Sequence, residues 1–188
     1  MLLLAAVLVG LVAGVATGGR LGNLSNLRFR WPFFVLAALL VKEVVLVTPL
    51  SRIDGAQYVY AASLAALVAW TVWHFDRLPG VWLVSLGAAL NLVVVVVNGG
   101  HMPVAREFAG HLVARGQIGQ YVVMGPGTNV GWLADWIGGP ALLGAVYSPG
   151  DVVVALGIAA VSFLGTRQRP VPATKLDETS GRIGSYPP

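Results

Sequence analysis

Five stretches of this chain carry almost no charge, and nothing else in the sequence limits its folding as strongly. They run from about Leu2 to Thr17, Trp31 to Val47, Gln57 to Trp73, Val81 to Asn98 and Pro149 to Leu164. Over all 188 residues only 11% are charged and 56% are hydrophobic. A water-facing surface draws on roughly a quarter charged residues, so a chain this poor in charge cannot cover a soluble globule of its size. It can cover a bundle whose outside faces lipid. The expected fold is therefore all-α, a polytopic membrane bundle of about five transmembrane helices. A hydrocarbon core about 30 Å thick takes about 20 residues of helix, with a lower limit near 17, and most of the stretches sit near that limit. Length leaves room for one helical domain, residues 1–165. Residues 166–188 are polar and contain proline, the composition of a flexible cytoplasmic tail.

Charge placement orients the bundle. A secretory signal opens with a positive region, whereas Met1-Leu2-Leu3-Leu4 has none and Arg20, Arg28 and Arg30 follow the first stretch. The first stretch is expected to stay as a helix with its N-terminus outside. Five spans then place Arg20, Arg28, Arg30, Arg77, Arg167, Arg169, Lys175 and Arg182 in the cytoplasm. Arg52, Arg106 and Arg115 fall outside, a ratio of eight to three. Cytoplasmic loops carry the excess of Lys and Arg, so N-out and C-in is expected. Trp31, Trp70, Trp73 and Trp82 stand where interfacial aromatic belts belong.

The glycine-rich connection Gly99 to Tyr147 is too apolar for disorder, with Val122, Val123, Trp132, Trp136, Leu142 and Leu143. Within it, Asn98-Gly99-Gly100-His101-Met102-Pro103 closes the fourth helix, glycine serving as a C-cap and Pro103 as the first residue of a new helix. Val104, Phe108 and Leu112 recur at helical spacing, so a short interfacial helix is expected from Pro103 to Arg115, ended by Gly116.

Polar residues in and beside the spans are the candidates for chemistry. Ser148-Pro149-Gly150-Asp151 has the spacing of an N-cap, a first-position proline and a capping box; the alternative makes Asp151 an acid, a base or a cation ligand. Gly87, Asn91 and Asn98 share roughly one face of the fourth helix and should point inward, for packing or for a ligand. Lys42 and Glu43 interrupt the second stretch, where a charge costs about 2.5–3.5 kcal/mol at the bilayer centre; Lys42 can snorkel outward, and Glu43 has the shorter reach. Asp135 lies in the outer connection, either as a solvated acid or beside Asp151 in one cluster. His74, His101 and His111 make no metal-ligand spacing, and no nucleophile elbow, phosphate loop or dinucleotide fingerprint is present. No metal and no cofactor are expected. With no cysteine, thiolate chemistry and disulfides are excluded.

Three blocks give the chain a family likeness. Gly19-Arg20-Leu21 is followed by Leu24, Leu27, Arg28 and Arg30. Leu90-Asn91-Leu92 leads to Asn98-Gly99-Gly100-His101-Met102-Pro103-Val104, the longest and most unusual of the three. Ser148-Pro149-Gly150-Asp151 is the third. On these the chain resembles a group of small bacterial membrane proteins known as domain of unknown function 5317, over nearly everything except the tail. The resemblance implies a multi-pass protein of the bacterial cytoplasmic membrane and supports the site candidates, without implying an activity. Where the family shows Leu-Gly-Asp before the last helix, this chain has Leu133-Ala134-Asp135, which puts the local turn in question.

Three functions fit. The first is a non-catalytic accessory or scaffold component, with the lipid bilayer and other membrane-protein subunits as partners. The second is binding or transport of a small molecule or ion through an outer-face pocket made by Asn98, His101, Met102, Thr128, Asp135, Ser148 and Asp151. The third is a membrane enzyme using Asp135 or Asp151 as base. Nucleic acid is not an expected partner, because no basic face is interleaved with aromatics.

Overall fold

The computed structural model describes residues 2–48, 53, 55–110, 117–139 and 145–168. Among these are five α-helices: α1 (Leu2–Ala16), α2 (Pro32–Val47), α3 (Ala56–Trp73), α4 (Val81–Val97) and α5 (Pro149–Gly165). At about 1.5 Å rise per residue, helices of 15 to 18 residues are about 22–27 Å long. By length and composition α3 is long and apolar enough to cross a membrane, while α1, α4 and α5 are apolar and shorter. Within α2 the Lys42 and Glu43 side chains lie outside what is described, as does the expected tail beyond Gln168.

Small residues set the helix contacts. On α1, Gly10 and Gly14 are buried against α5, where an added Cβ would overlap the Ala159 carbonyl and the Thr166 side chain. Gly87 of α4 meets Gly150 and Val154 of α5, and Gly157 of α5 meets Val84. These let backbones approach closely, which is how helices associate where burial of apolar surface supplies no drive. α4 also packs on α3, and α2 lies outside, chiefly against α3. The inside of α4 carries Ser85, Gly87, Ala88 and Asn91 among Val81, Val84, Val94 and Val95, whereas Trp82, Leu86, Val93 and Val96 are exposed. On α2, Phe33 is 79% exposed and Leu40 65%. Bulky apolar side chains therefore line the outside of α2 and α4.

Successive helices alternate in direction, and two different caps close the ends. At one end, the Arg20 amide and the Asn23 side chain donate to the Thr166 carbonyl (2.8 and 2.7 Å). Arg167 reaches the Thr17 carbonyl there at 2.9 Å. His74 is fully buried at the same end. Its Nε2 accepts from the Arg30 amide at 3.0 Å, so the ring proton sits on Nδ1, 2.7 Å from the Trp70 carbonyl. Arg30 and Arg77 stack on Trp73, 5.2 and 5.9 Å from its centroid.

The other end is a β cap, and here the structure corrects the sequence. No helix starts at Pro103; Met102–Val104 is a strand, β1, and residues 111–116 lie outside the described residues. β1 pairs in parallel with β3 (Tyr121–Val123), which pairs antiparallel with β2 (Gln117–Ile118). β4 (Ile137–Gly138) and β5 (Val146–Tyr147) form a separate hairpin-like pair. Pro103 is tolerated because its nitrogen faces away from β3. Met102 donates to Gln120 and Met124 donates to Val104 on that side, so the missing N–H interrupts nothing. Helical spacing at Val104 and Phe108 is satisfied equally by an extended residue followed by a turn.

Candidate functional site

Four polar side chains interlock where α4 meets the start of α5. Ser148 is the N-cap of α5: its hydroxyl accepts from the Asp151 amide, and Asp151 Oδ2 accepts from the Ser148 amide, both at 3.0 Å. This is a complete capping box, satisfying amides that a helix start leaves without partners. Asn91 completes the circuit from α4. Its amide donates to Asp151 Oδ1 and its carbonyl accepts from the Ser148 hydroxyl, both at 2.8 Å. Gly150 makes the approach possible, since a Cβ there would coincide with the Asn91 carbonyl oxygen.

Asp135 arrives from the β cap. Val130 holds a left-handed φ of 49°, a strained conformation for a β-branched residue, and turns the chain into a short 3₁₀ segment, Gly131–Leu133. Ala134 is then extended, with φ −74° and ψ −179°, and fully buried. Ala134 thus needs no left-handed backbone, which stands four positions earlier at Val130. The Asp135 amide donates to the Pro103 carbonyl at 3.0 Å, and its own carbonyl accepts from Ala105 at 2.8 Å. This bridge to β1 fixes the backbone and turns the side chain inward.

The Asp135 side chain is only 6% exposed, and its Oδ1 has no hydrogen-bond partner among the described residues. Burial first, and the charge of Asp151 second, push its carboxyl from 3.8 up to about 8. A buried carboxyl resists ionisation because water is not there to solvate the charge.

Asp135, Asp151 and Asn91 share the wall of one cavity of about 310 Å³. Tyr60, Gln120, Tyr121 and Tyr147 add polar groups to it; Leu2 and Leu3 of α1, Leu64 and Leu67 of α3, and Val154 of α5 make it apolar elsewhere. The volume is at the lower end for small-molecule sites, and a mostly apolar wall with a few converging polar groups is their usual chemistry.

Of the sequence candidates, Met102, Asp135, Asp151 and Asn91 line this cavity, and Ser148 supports it from behind. Asn98 does other work: it caps α4 at the Val94 carbonyl and makes two hydrogen bonds to Asn129, tying the cap to the helix. Thr128 closes a turn by accepting from the Gly125 amide at 2.9 Å. His101 precedes β1, away from the cavity wall, with a buried Nε2 that has no partner among the described residues. Sequence reasoning missed Tyr60, Gln120, Tyr121 and Tyr147. Tyr60 carried a signal, an aromatic hydroxyl one turn into an apolar helix. Tyr121 and Tyr147 sit on short strands and Gln120 in the turn before β3, in a part of the connection to which the sequence assigned no element.

A family model matches residues 26–163 of the chain, described as a family of unknown function, DUF5317. The chain belongs to that family. The DUF5317 match takes in α2 to α4, the β cap and α5 as far as Phe163, so every polar residue of the cavity falls within it. It leaves out α1 and the Gly19-Arg20-Leu21 block. No curated protein and no solved structure matches the chain.

Proposed function

We propose that this DUF5317 protein is a multi-pass membrane protein that binds a small molecule in a cavity at the outer face. In this reading α1 to α5 all cross the bilayer, with the N-terminus outside and the C-terminus in the cytoplasm. Support comes from the exposed apolar side chains, from the small-residue helix contacts and from the arginines. Arg20, Arg28, Arg30, Arg77 and Arg167 gather at the end opposite the β cap, where Arg106 is the described base. By the excess of Lys and Arg in cytoplasmic loops, that distribution favours an outer β cap.

The observation that carries the ligand reading is Asp135. A carboxyl this deeply buried with an oxygen left without a donor is costly, and it stands on the wall of a cavity rather than in packed core. A bound donor removes the cost. The test is a thermal-stability screen of the full chain in lipid nanodiscs against small neutral, cationic and anionic molecules. Compounds that stabilise the wild type and lose their effect in Asp135→Asn are expected. A screen in which no compound distinguishes the two contradicts the reading.

One observation favours a second reading, an accessory subunit. α2 packs chiefly on α3 and leaves Phe33, Leu36, Leu40, Val41 and Val44 exposed, a face that another membrane helix could cover. Stoichiometric co-purification in mild detergent, lost on Leu40→Trp, would favour it.

A further inference from the structure

We propose that the cavity takes a small organic amine without an acid group, its ammonium held by Asp135 and its hydrocarbon lying against Leu64, Leu67 and Val154. The inference rests on the cavity being a ligand site, and it adds the class of ligand. Asp135 Oδ1 lacks a donor among the described residues, and Asp151 on the same wall adds negative potential. A donor that also carries positive charge satisfies both.

The rest of the wall narrows the choice. Among the described lining residues there is no Lys, Arg or His, so a ligand carboxylate or phosphate would face two aspartates with nothing to pair it. Amino acids and aminophospholipid headgroups are therefore disfavoured against simple amines. No group of three or more His, Cys, Asp or Glu able to hold a metal occurs among the described residues, and hydrocarbon walls suit an organic body better than a bare ion. The rings of Tyr60, Tyr121 and Tyr147 on the wall favour a cation further.

Proton bookkeeping follows. The titratable groups on the wall are Tyr60 from α3, Tyr121 from β3, Tyr147 from β5 and Asp151 from α5. With its carboxyl pushed up to about 8, Asp135 keeps its proton at neutral pH while the cavity is empty. An ammonium binding the carboxylate displaces that proton to solvent. An alkylammonium stays charged to about pH 10, so affinity should rise about tenfold per pH unit below about 8 and level off above it.

The test is calorimetric titration of the full chain in nanodiscs with primary amines from methylamine to 2-phenylethylamine. Controls are 2-phenylethanol as neutral isostere, phenylalanine as zwitterion, and sodium and calcium ions. The larger amines are expected to bind best, with 2-phenylethanol and phenylalanine at least about tenfold weaker, the metal ions silent, and Asp135→Asn losing at least about tenfold for the amine. Should Asp135→Asn not purify as one species, Leu64→Trp fills the cavity, leaves both carboxylates, and is expected to lose amine binding equally. If 2-phenylethanol binds as tightly as the amine, or Asp135→Asn keeps the amine, the cation inference is overturned and the ligand cavity stands. If nothing in the series or its controls binds the wild type, both fall.

Discussion

Asp135 and Ser148, on either side of the β4–β5 pair, show how two buried polar residues can have opposite roles. Ser148 is fully buried and uses both sides of its hydroxyl, accepting from Asp151 and donating to Asn91. Ser148→Ala should cost about 0.5–2 kcal/mol as a lost cap, read as a lower denaturation midpoint, and should also weaken ligand binding by freeing Asn91. Asp135 instead has an oxygen without a partner among the described residues. Its carboxyl rises from 3.8 to about 8 on folding, so between those values the folded chain holds a proton that the unfolded chain has released. Stability from this group is therefore greatest below about pH 4 and is lost as pH rises through about 8. Asp135→Asn should match the wild type in acid and exceed it at pH 9. Parallel thermal melts across that range check this; a variant that gains nothing over the wild type at pH 9 would show the carboxyl to be paired.

At the scale of elements, glycine is what brings the cavity together. Gly150→Ala drives a methyl into Asn91 and should destabilise by about 1–3 kcal/mol through overpacking, with loss of the Asn91–Asp151 contact. Gly22→Ala, which meets nothing within 4 Å, should be neutral; equal effects from the two would refute the α4–α5 account. The helices were legible because lack of charge, Pro149 after Ser148 and the Asn-Gly-Gly stop are local signals. The capping residues were legible for the same reason: a Ser-Pro-Gly-Asp run can do little else at a helix start. The β cap was not legible. Its strands are two or three residues long, too short to show alternation, and β1 pairs with residues nearly twenty positions away rather than with a neighbour. Asp135 was visible as a candidate, but its burial depends on that non-local pairing with Pro103 and Ala105, and no local pattern records it.

For the whole molecule, the account depends on direction. Five alternating helices place the starts of α1, α3 and α5 and the end of α4 around one cavity, and gather Arg20, Arg28, Arg30, Arg77 and Arg167 at the opposite end. If the helices cross the bilayer with the arginines in the cytoplasm, the cavity meets solutes outside the cell. The chain has no cysteine, so single introduced cysteines report position cleanly. Gly127 in the β cap and Gly22 near the arginine end both stand in open space. A membrane-impermeant maleimide is predicted to label Gly127→Cys in intact cells and Gly22→Cys only after the membrane is opened. Labelling of Gly22→Cys in intact cells, or protection of Gly127→Cys there, would contradict it.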